Sequence, residues 1–166
     1  MARAFAWTCK NIAKHGGNAE QIFACGHSAG AHLVALLAAD ESYLKAEGVK
    51  TSQIRGVIPI SGVFNIPDRV MNDVFGAGSH KEASPLHFVR EGLPPFLLLY
   101  ADKDDPTCGR RAAEPFLKAL TAKGNKAEEM EIKDSDHLRI IFSAADPASA
   151  TAKAIVGFIE ANCRKS

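Results

Sequence analysis

The sequence predicts an α/β fold: a mostly parallel sheet of about four strands with helices on both faces. Three observations carry this. Short apolar runs at 21–25, 55–61 and 96–101, with a weaker one at 127–132, are separated by stretches that include helical patterns. The run Phe96-Leu97-Leu98-Leu99-Tyr100-Ala101 is apolar throughout, as expected of a strand buried on both sides. Strands alternating with helices imply parallel pairing, with the sheet covered above and below.

Each element has a local reason. Residues 2–14 form a helix with Phe5, Cys9 and Ile12 on one face, stopped by Gly16-Gly17. The first strand, 21–25, leads to an apolar helix over about 29–39. In the second strand, 55–61, Pro59 withdraws a ladder donor and belongs near the strand's end. Residues 62–95 lack a strong period and hold Asn65, Pro67, Asp73, Gly76, Gly78, Pro85, Pro94 and Pro95. They read as a cap-like excursion with short helices. After the strand at 96–101, a helix over 110–123 turns Ala113, Phe116, Leu117 and Leu120 to one side, and Gly124 caps it. Pro115 either marks its start or kinks it. Residues 127–132 are polar enough for an edge strand. Asp146-Pro147 opens a last helix to about 162, with Ile155, Phe158 and Ile159 inward.

The chain has 166 residues, 46% of them hydrophobic and 23% charged, which suits one domain spanning 1–166. A net charge of +1 gives no reason to expect a nucleic acid or a membrane surface as partner. No window of about 18 apolar residues exists to span a bilayer. The start, Met1-Ala2-Arg3-Ala4-Phe5-Ala6-Trp7, has no long apolar leader core. The four cysteines, Cys9, Cys25, Cys108 and Cys163, show no zinc spacing. Cys25 in a strand and Cys9 in a helix are expected to be buried free thiols, which points to a reducing, cytoplasmic compartment. Trp7 and Phe75 are expected to pack. No glycine-rich phosphate loop or cofactor fingerprint follows a strand, and no metal or cofactor is expected.

The segment Gly26-His27-Ser28-Ala29-Gly30 lies between the first strand and the apolar helix. Strand, sharp turn and helix are the context of a nucleophile elbow, with Ser28 as the nucleophile. Strand and helix nearly touch there, so small residues are needed two before and two after the serine, where Gly26 and Gly30 stand. The backbone N–H of Ala29, at the helix N-terminus, points where an oxyanion would form.

A serine hydroxyl needs a base, and the base needs an orienting carboxylate. Asp102-Lys103-Asp104-Asp105-Pro106 follows the strand at 96–101, and Lys133-Asp134-Ser135-Asp136-His137 follows the one at 127–132. His137 is the best base. Asp104 is the first choice of acid and Asp102 the second; Asp105, before Pro106, reads as a turn initiator. His27 and His32 flank the elbow and either pack there or bind substrate. His27 and Phe64 are the candidate substrate contacts. Cys108 reads as an ordinary thiol.

The elbow segment through Leu33, the stretch Arg55-Gly56-Val57-Ile58-Pro59-Ile60-Ser61-Gly62-Val63-Phe64, and Ala83-Ser84-Pro85-Leu86 leading to Leu93-Pro94-Pro95-Phe96 carry a resemblance. Together they resemble the carboxylesterase and arylformamidase branch of the α/β-hydrolases over essentially the whole chain. The resemblance implies a C-terminal portion of that fold and a serine hydrolase cleaving short acyl or aryl esters, with an N-formyl aryl amide as alternative substrate. It implies Ser28 as nucleophile, Asp104 as acid and His137 as base. Ala101 stands where a glycine is usual before the acid. Members of the branch also carry an N-terminal part with further strands and a His-Gly-Gly loop that supplies the second oxyanion donor. His15-Gly16-Gly17 follows a helix and is rejected for that role. One missing donor is worth on the order of 3–4 kcal/mol of transition-state stabilisation. Without further strands, 21–25 is an apolar sheet edge, expected to pair with a second copy or with a separate N-terminal segment. A reading of another class is a catalytically impaired fragment that folds by such association.

Overall fold

The computed structural model describes residues 1–67 and 72–163. Part of the predicted excursion, residues 68–71, lies outside them. The helices are α1 (Ala2–Asn11), α2 (Ala29–Ala39), α3 (Glu41–Ala46), α4 (Asn72–Phe75), α5 (His80–Ala83), α6 (Arg110–Ala122), α7 (Arg139–Ser143) and α8 (Ala150–Asn162). The strands are β1 (Ile22–His27), β2 (Ile54–Ile60), β3 (Phe96–Lys103) and β4 (Ala127–Asp136). They form one sheet in the order β1-β2-β3-β4, every neighbouring pair parallel.

Strands laid down in sequence order, joined by crossovers of one hand, put their connecting helices on the same face. That face holds α2 and α6, joined by α1. Phe5, Val34, Leu37, Phe116 and Leu120 pack there against Val57, Phe96, Leu98 and Tyr100. The opposite face is closed by the helices that follow β4. Ile140 of α7 and Phe158 of α8 meet Ile58, Ile60, Leu97, Leu99 and Ile132. β3 is buried from Phe96 to Ala101, as its unbroken apolar run requires. β4 is an edge strand of alternating burial.

Several expectations are corrected. The first helix ends at Asn11 and tightens into a 3-10 turn, Ile12–His15, before Gly16 reverses the chain at φ 79°. The last helix begins at Ala150, not at Asp146-Pro147, because the Ser149 side chain accepts from the Ala152 N–H. Asp146 instead accepts the Ala148 N–H in the turn before it. α6 starts at Arg110 and runs through Pro115. Cys25 is exposed, since β1 is an outer strand and the aromatic pairing of Phe23 with Phe158 covers only its earlier part. Cys9 is only partly buried. Trp7 is 55% exposed, in ring contact with His15.

The turn from β1 to α2 decides where the site forms. A Cβ on Gly26 would lie 2.3 Å from the Gly30 carbonyl oxygen and 2.5 Å from its carbon, so strand and helix meet there backbone to backbone. Gly30 is different, because a Cβ there meets nothing within 4 Å. Only one of the two glycines expected from the motif is therefore required by contact. Gly26→Ala is expected to lower stability by about 3 kcal/mol, since neither backbone can yield. Gly30→Ala is expected to leave stability unchanged or raise it by up to about 1 kcal/mol. Urea unfolding of the two variants measures both.

Candidate active site

The chain leaves β1 through Ser28, whose backbone sits at φ 56°, ψ −118°. Few L residues occupy that region, and they persist only where the surroundings hold them. Three backbone bonds do so here. The Ser28 N–H donates to the Ile60 carbonyl at 2.9 Å, and its own carbonyl accepts the N–H groups of Ala31 at 3.0 Å and His32 at 3.1 Å. The helix thus begins immediately, and Ser28 projects at its N-terminus. Ala29, the first residue of α2, carries one of the N–H groups that a helix start leaves without a helical partner.

His137 follows β4, and its ring comes back across the sheet to Ser28. Its Nε2 lies 2.9 Å from Ser28 Oγ, and its Nδ1 lies 2.7 Å from Asp104 Oδ1. A carboxylate can only accept, so Nδ1 bears the hydrogen and Nε2 is free to take one from the serine hydroxyl. The Asp104 side chain is 1% exposed. Besides His137 it accepts the Asp105 N–H at 3.0 Å, the Ala101 N–H at 3.1 Å and the Ser61 hydroxyl at 2.5 Å. A buried carboxylate with four donors has its lone pairs fully used.

Ser61 is the residue that sequence reasoning missed. It is fully buried just past β2, at φ 50°, and its N–H donates to the Leu99 carbonyl. A serine directly after a strand's carboxyl end, followed by a glycine, was the available signal.

The neighbouring carboxylates divide the remaining tasks. Asp102 accepts the Asp134 and Ser135 N–H groups at 3.0 and 2.9 Å, which pins the loop carrying His137 to the end of β3. The Ser135 N–H, ahead of the opposing cost of desolvation, holds the Asp102 carboxyl below its ordinary pKa; the Asp134 N–H and the charges of Lys103 and Lys133 act in the same direction. Asp105 accepts from the Thr107 N–H and hydroxyl, a turn-initiating arrangement. Asp136 accepts the Leu138 and Arg139 N–H groups and so caps the start of α7.

His32 is buried and bonds the Ala83 carbonyl at 2.6 Å, tying α2 to the excursion. Phe75 packs on its ring. His27 has its Nε2 2.7 Å from the His137 carbonyl and its ring 4.6 Å from the His137 ring. Its one well-placed N–H is thus used within the protein. Phe64 is 2% exposed and stacked on Phe116 at 4.6 Å. Both line a cavity of about 380 Å³ together with Val63, Pro67, Leu86 and Arg111. Cys108 is buried, and burial raises its pKa, with the charges of Asp104 and Asp105 adding to the rise, so it is not an activated thiol.

The contrast between the acids is measurable as stability. Asp104→Ala leaves buried donors unpaired and is expected to cost about 2–4 kcal/mol in urea unfolding. Asp102→Ala, whose partners can turn to water, is expected to shift the midpoint less. The reverse order would contradict the division of tasks above.

The profile of the carboxylesterase family matches residues 1–84, just over half of the chain. The esterase LipQ of Mycobacterium tuberculosis is 29% identical over 96% of this chain and 42% of its own length. An isoprenylcysteine alpha-carbonyl methylesterase of Arabidopsis thaliana is 28% identical over 76% of this chain and 35% of its own. The kynurenine formamidase of Salmo salar is 28% identical over 75% and 45%. The chain thus spans less than half the length of these relatives. Among solved structures, a truncated carbohydrate esterase from gut microbiota superposes with a TM-score of 0.77 at 17% identity, covering 97% of this chain and 66% of that one. Esterase Est2 of Thermogutta terrifontis, with propionate bound, gives 0.76 at 22% identity, with 99% and 66% covered. The fold is that of a partial α/β hydrolase, and the chain belongs to the carboxylesterase family.

Proposed function

We propose that the protein hydrolyses carboxylic esters through an acyl-enzyme on Ser28, with His137 as general base and Asp104 as its orienting acid. The observation that carries this reading is the continuous bond path from Asp104 Oδ1 through both ring nitrogens of His137 to Ser28 Oγ, at 2.7 and 2.9 Å. Ser28 Oγ attacks the ester carbonyl carbon as its proton passes to His137 Nε2. The oxyanion of the tetrahedral intermediate takes a hydrogen bond from the Ala29 N–H. The imidazolium, stabilised by Asp104, returns its proton to the departing alcohol. Water then attacks the acyl-serine, losing its proton to His137, and the acid leaves as Ser28 Oγ recovers a proton.

Short acyl or aryl esters suit the apolar cavity beside Phe64, whose walls come from the segments just after Ser61 and Asp104. An N-formyl aryl amide is the second reading, favoured by the similarity to a kynurenine formamidase. A panel of esters against formanilides separates the two.

The two sheet edges differ in a way that bears on partners. β4 shows Glu128, Glu129, Glu131 and Lys133 along its length, the usual protection of an outer strand. β1 shows Ile22, Phe23, Ala24, Cys25 and Gly26, without a charge. In our reading β1 accepts a further strand, from a second copy or from a separate N-terminal segment. Sedimentation is expected to show self-association of this chain, reduced by a Phe23→Lys substitution; a monomer at every concentration counts against a second copy.

Hydrolysis of p-nitrophenyl acetate by the chain, beside Ser28→Ala, tests the central claim. Turnover is expected to fall by about three orders of magnitude in the variant. Equal rates in the two proteins overturn the assignment.

A further inference from the structure

The loop that carries His137 must reach from one side of the sheet to the other. Ser28 leaves β1 and His137 follows β4, the two outer strands, with β2 and β3 between them. At the usual strand spacing that is a span of about 14 Å. From the β3 side the loop is held by the Asp102 and Asp104 carboxylates. From β1 and the elbow, among the described residues, two side chains bond to it: Ser28 itself and His27.

These two bonds differ in one respect that matters chemically. The Ser28 Oγ bond to His137 is lost once the oxygen carries an acyl group, because no hydrogen is left to donate. The His27 bond runs from ring Nε2–H to the His137 backbone carbonyl at 2.7 Å and involves no reacting atom. It is reinforced by ring contact at 4.6 Å and 44°. His27 is the last residue of β1, in register with Ile60, so its position is set by the sheet rather than by a loop.

We infer that His27 is a positioning residue that tethers the His137 loop to the elbow and keeps the base over Ser28 while the acyl-enzyme stands. The inference rests on the proposed serine mechanism. It predicts that loss of the tether slows deacylation, when the serine no longer holds His137, more than acylation, when it does. Burial lowers the His27 pKa, with its backbone bond and Asp104 acting against that and the nearby His137 acting with it. A neutral ring is what the arrangement requires, since a second cation in contact would oppose the imidazolium that catalysis forms on His137. The carboxylates of Asp104, Asp105 and Asp136 also act on His137.

Two substitutions and two readouts decide it. His27→Phe keeps a stacking ring and removes the donor; His27→Gln keeps an N–H at similar reach. In the full chain, amide hydrogen exchange over residues 135–139 is expected to quicken about fivefold in His27→Phe, the worth of one neutral hydrogen bond. Rapid-mixing hydrolysis of p-nitrophenyl acetate is expected to show deacylation slowed by about the same factor, acylation changed less than about twofold, and a burst that grows accordingly. His27→Gln is expected to restore exchange and deacylation together. Unchanged exchange in His27→Phe overturns the tether, and so does a failure of His27→Gln to restore it. Acylation and deacylation falling in parallel overturn its timing. If the parent chain matches Ser28→Ala and hydrolyses nothing, the serine mechanism and the deacylation claim fall together, while exchange still decides whether His27 holds the loop.

Discussion

The approach of Gly26 to Gly30 is the constraint on which the rest of the structure depends. With no side chain between them, β1 runs into α2 through a single serine, and that serine takes a backbone conformation most residues avoid. Strain of this kind costs about 1–3 kcal/mol. It is offset by what lies on either side. Ser28 is bonded into β2 through the Ile60 carbonyl, and α2 buries eight of its eleven residues. The reward is placement: a hydroxyl at the carboxyl edge of the sheet, beside a helix N-terminus.

Around that point the sheet works as a frame for polar groups drawn from three different strand ends. Asp102, Asp104, Asp105 and Asp136 have the same chemistry and four different uses, because each meets a different set of donors. Asp104 is the one whose carboxylate is folded inward, onto Ser61, Ala101 and His137. A buried charge persists only when its acceptor capacity is filled, and a single orientation fills it. The hydrogen bonds that keep Asp104 in place therefore also fix the direction from which it meets the imidazole. The outward-facing acids, by contrast, shape the loops: one pins the His137 loop to β3, one closes a turn and one starts α7.

The outer strands show how the same parallel sheet can present two kinds of surface. β4 alternates half-buried with exposed positions over Ala127–Glu131, carries charge at Glu128, Glu129, Glu131 and Lys133, and ends its side of the sheet. β1 is short and uncharged; Phe23 on it is only partly covered, through Phe158 of α8, and Cys25 is exposed. Ser28, just past the end of this uncharged strand, places the candidate site beside that edge.

Much of this was legible in the sequence because it is local. The elbow could be read from Gly26 to Gly30, since strand, turn and helix are all specified within a few residues. β3 could be read from its unbroken apolar run, and α2 began and ended where expected. The ends of β1, β3 and β4 extend two to four residues further, since ladder bonds to a neighbour, not composition, decide where a strand stops. α3 and α7 were missed. Each is held by one acidic cap and one buried residue, Leu44 or Ile140, too few for a period to register. The sequence already ranked Asp104 first among the acids, but its bond from the Ser61 hydroxyl, 43 residues away, was decided only by the tertiary structure. The tertiary structure alone set His27 against His137, 110 residues away, and left Cys25 exposed. Those outcomes depend on which strand ends become neighbours, and neighbourhood across a sheet is a property of the packed chain.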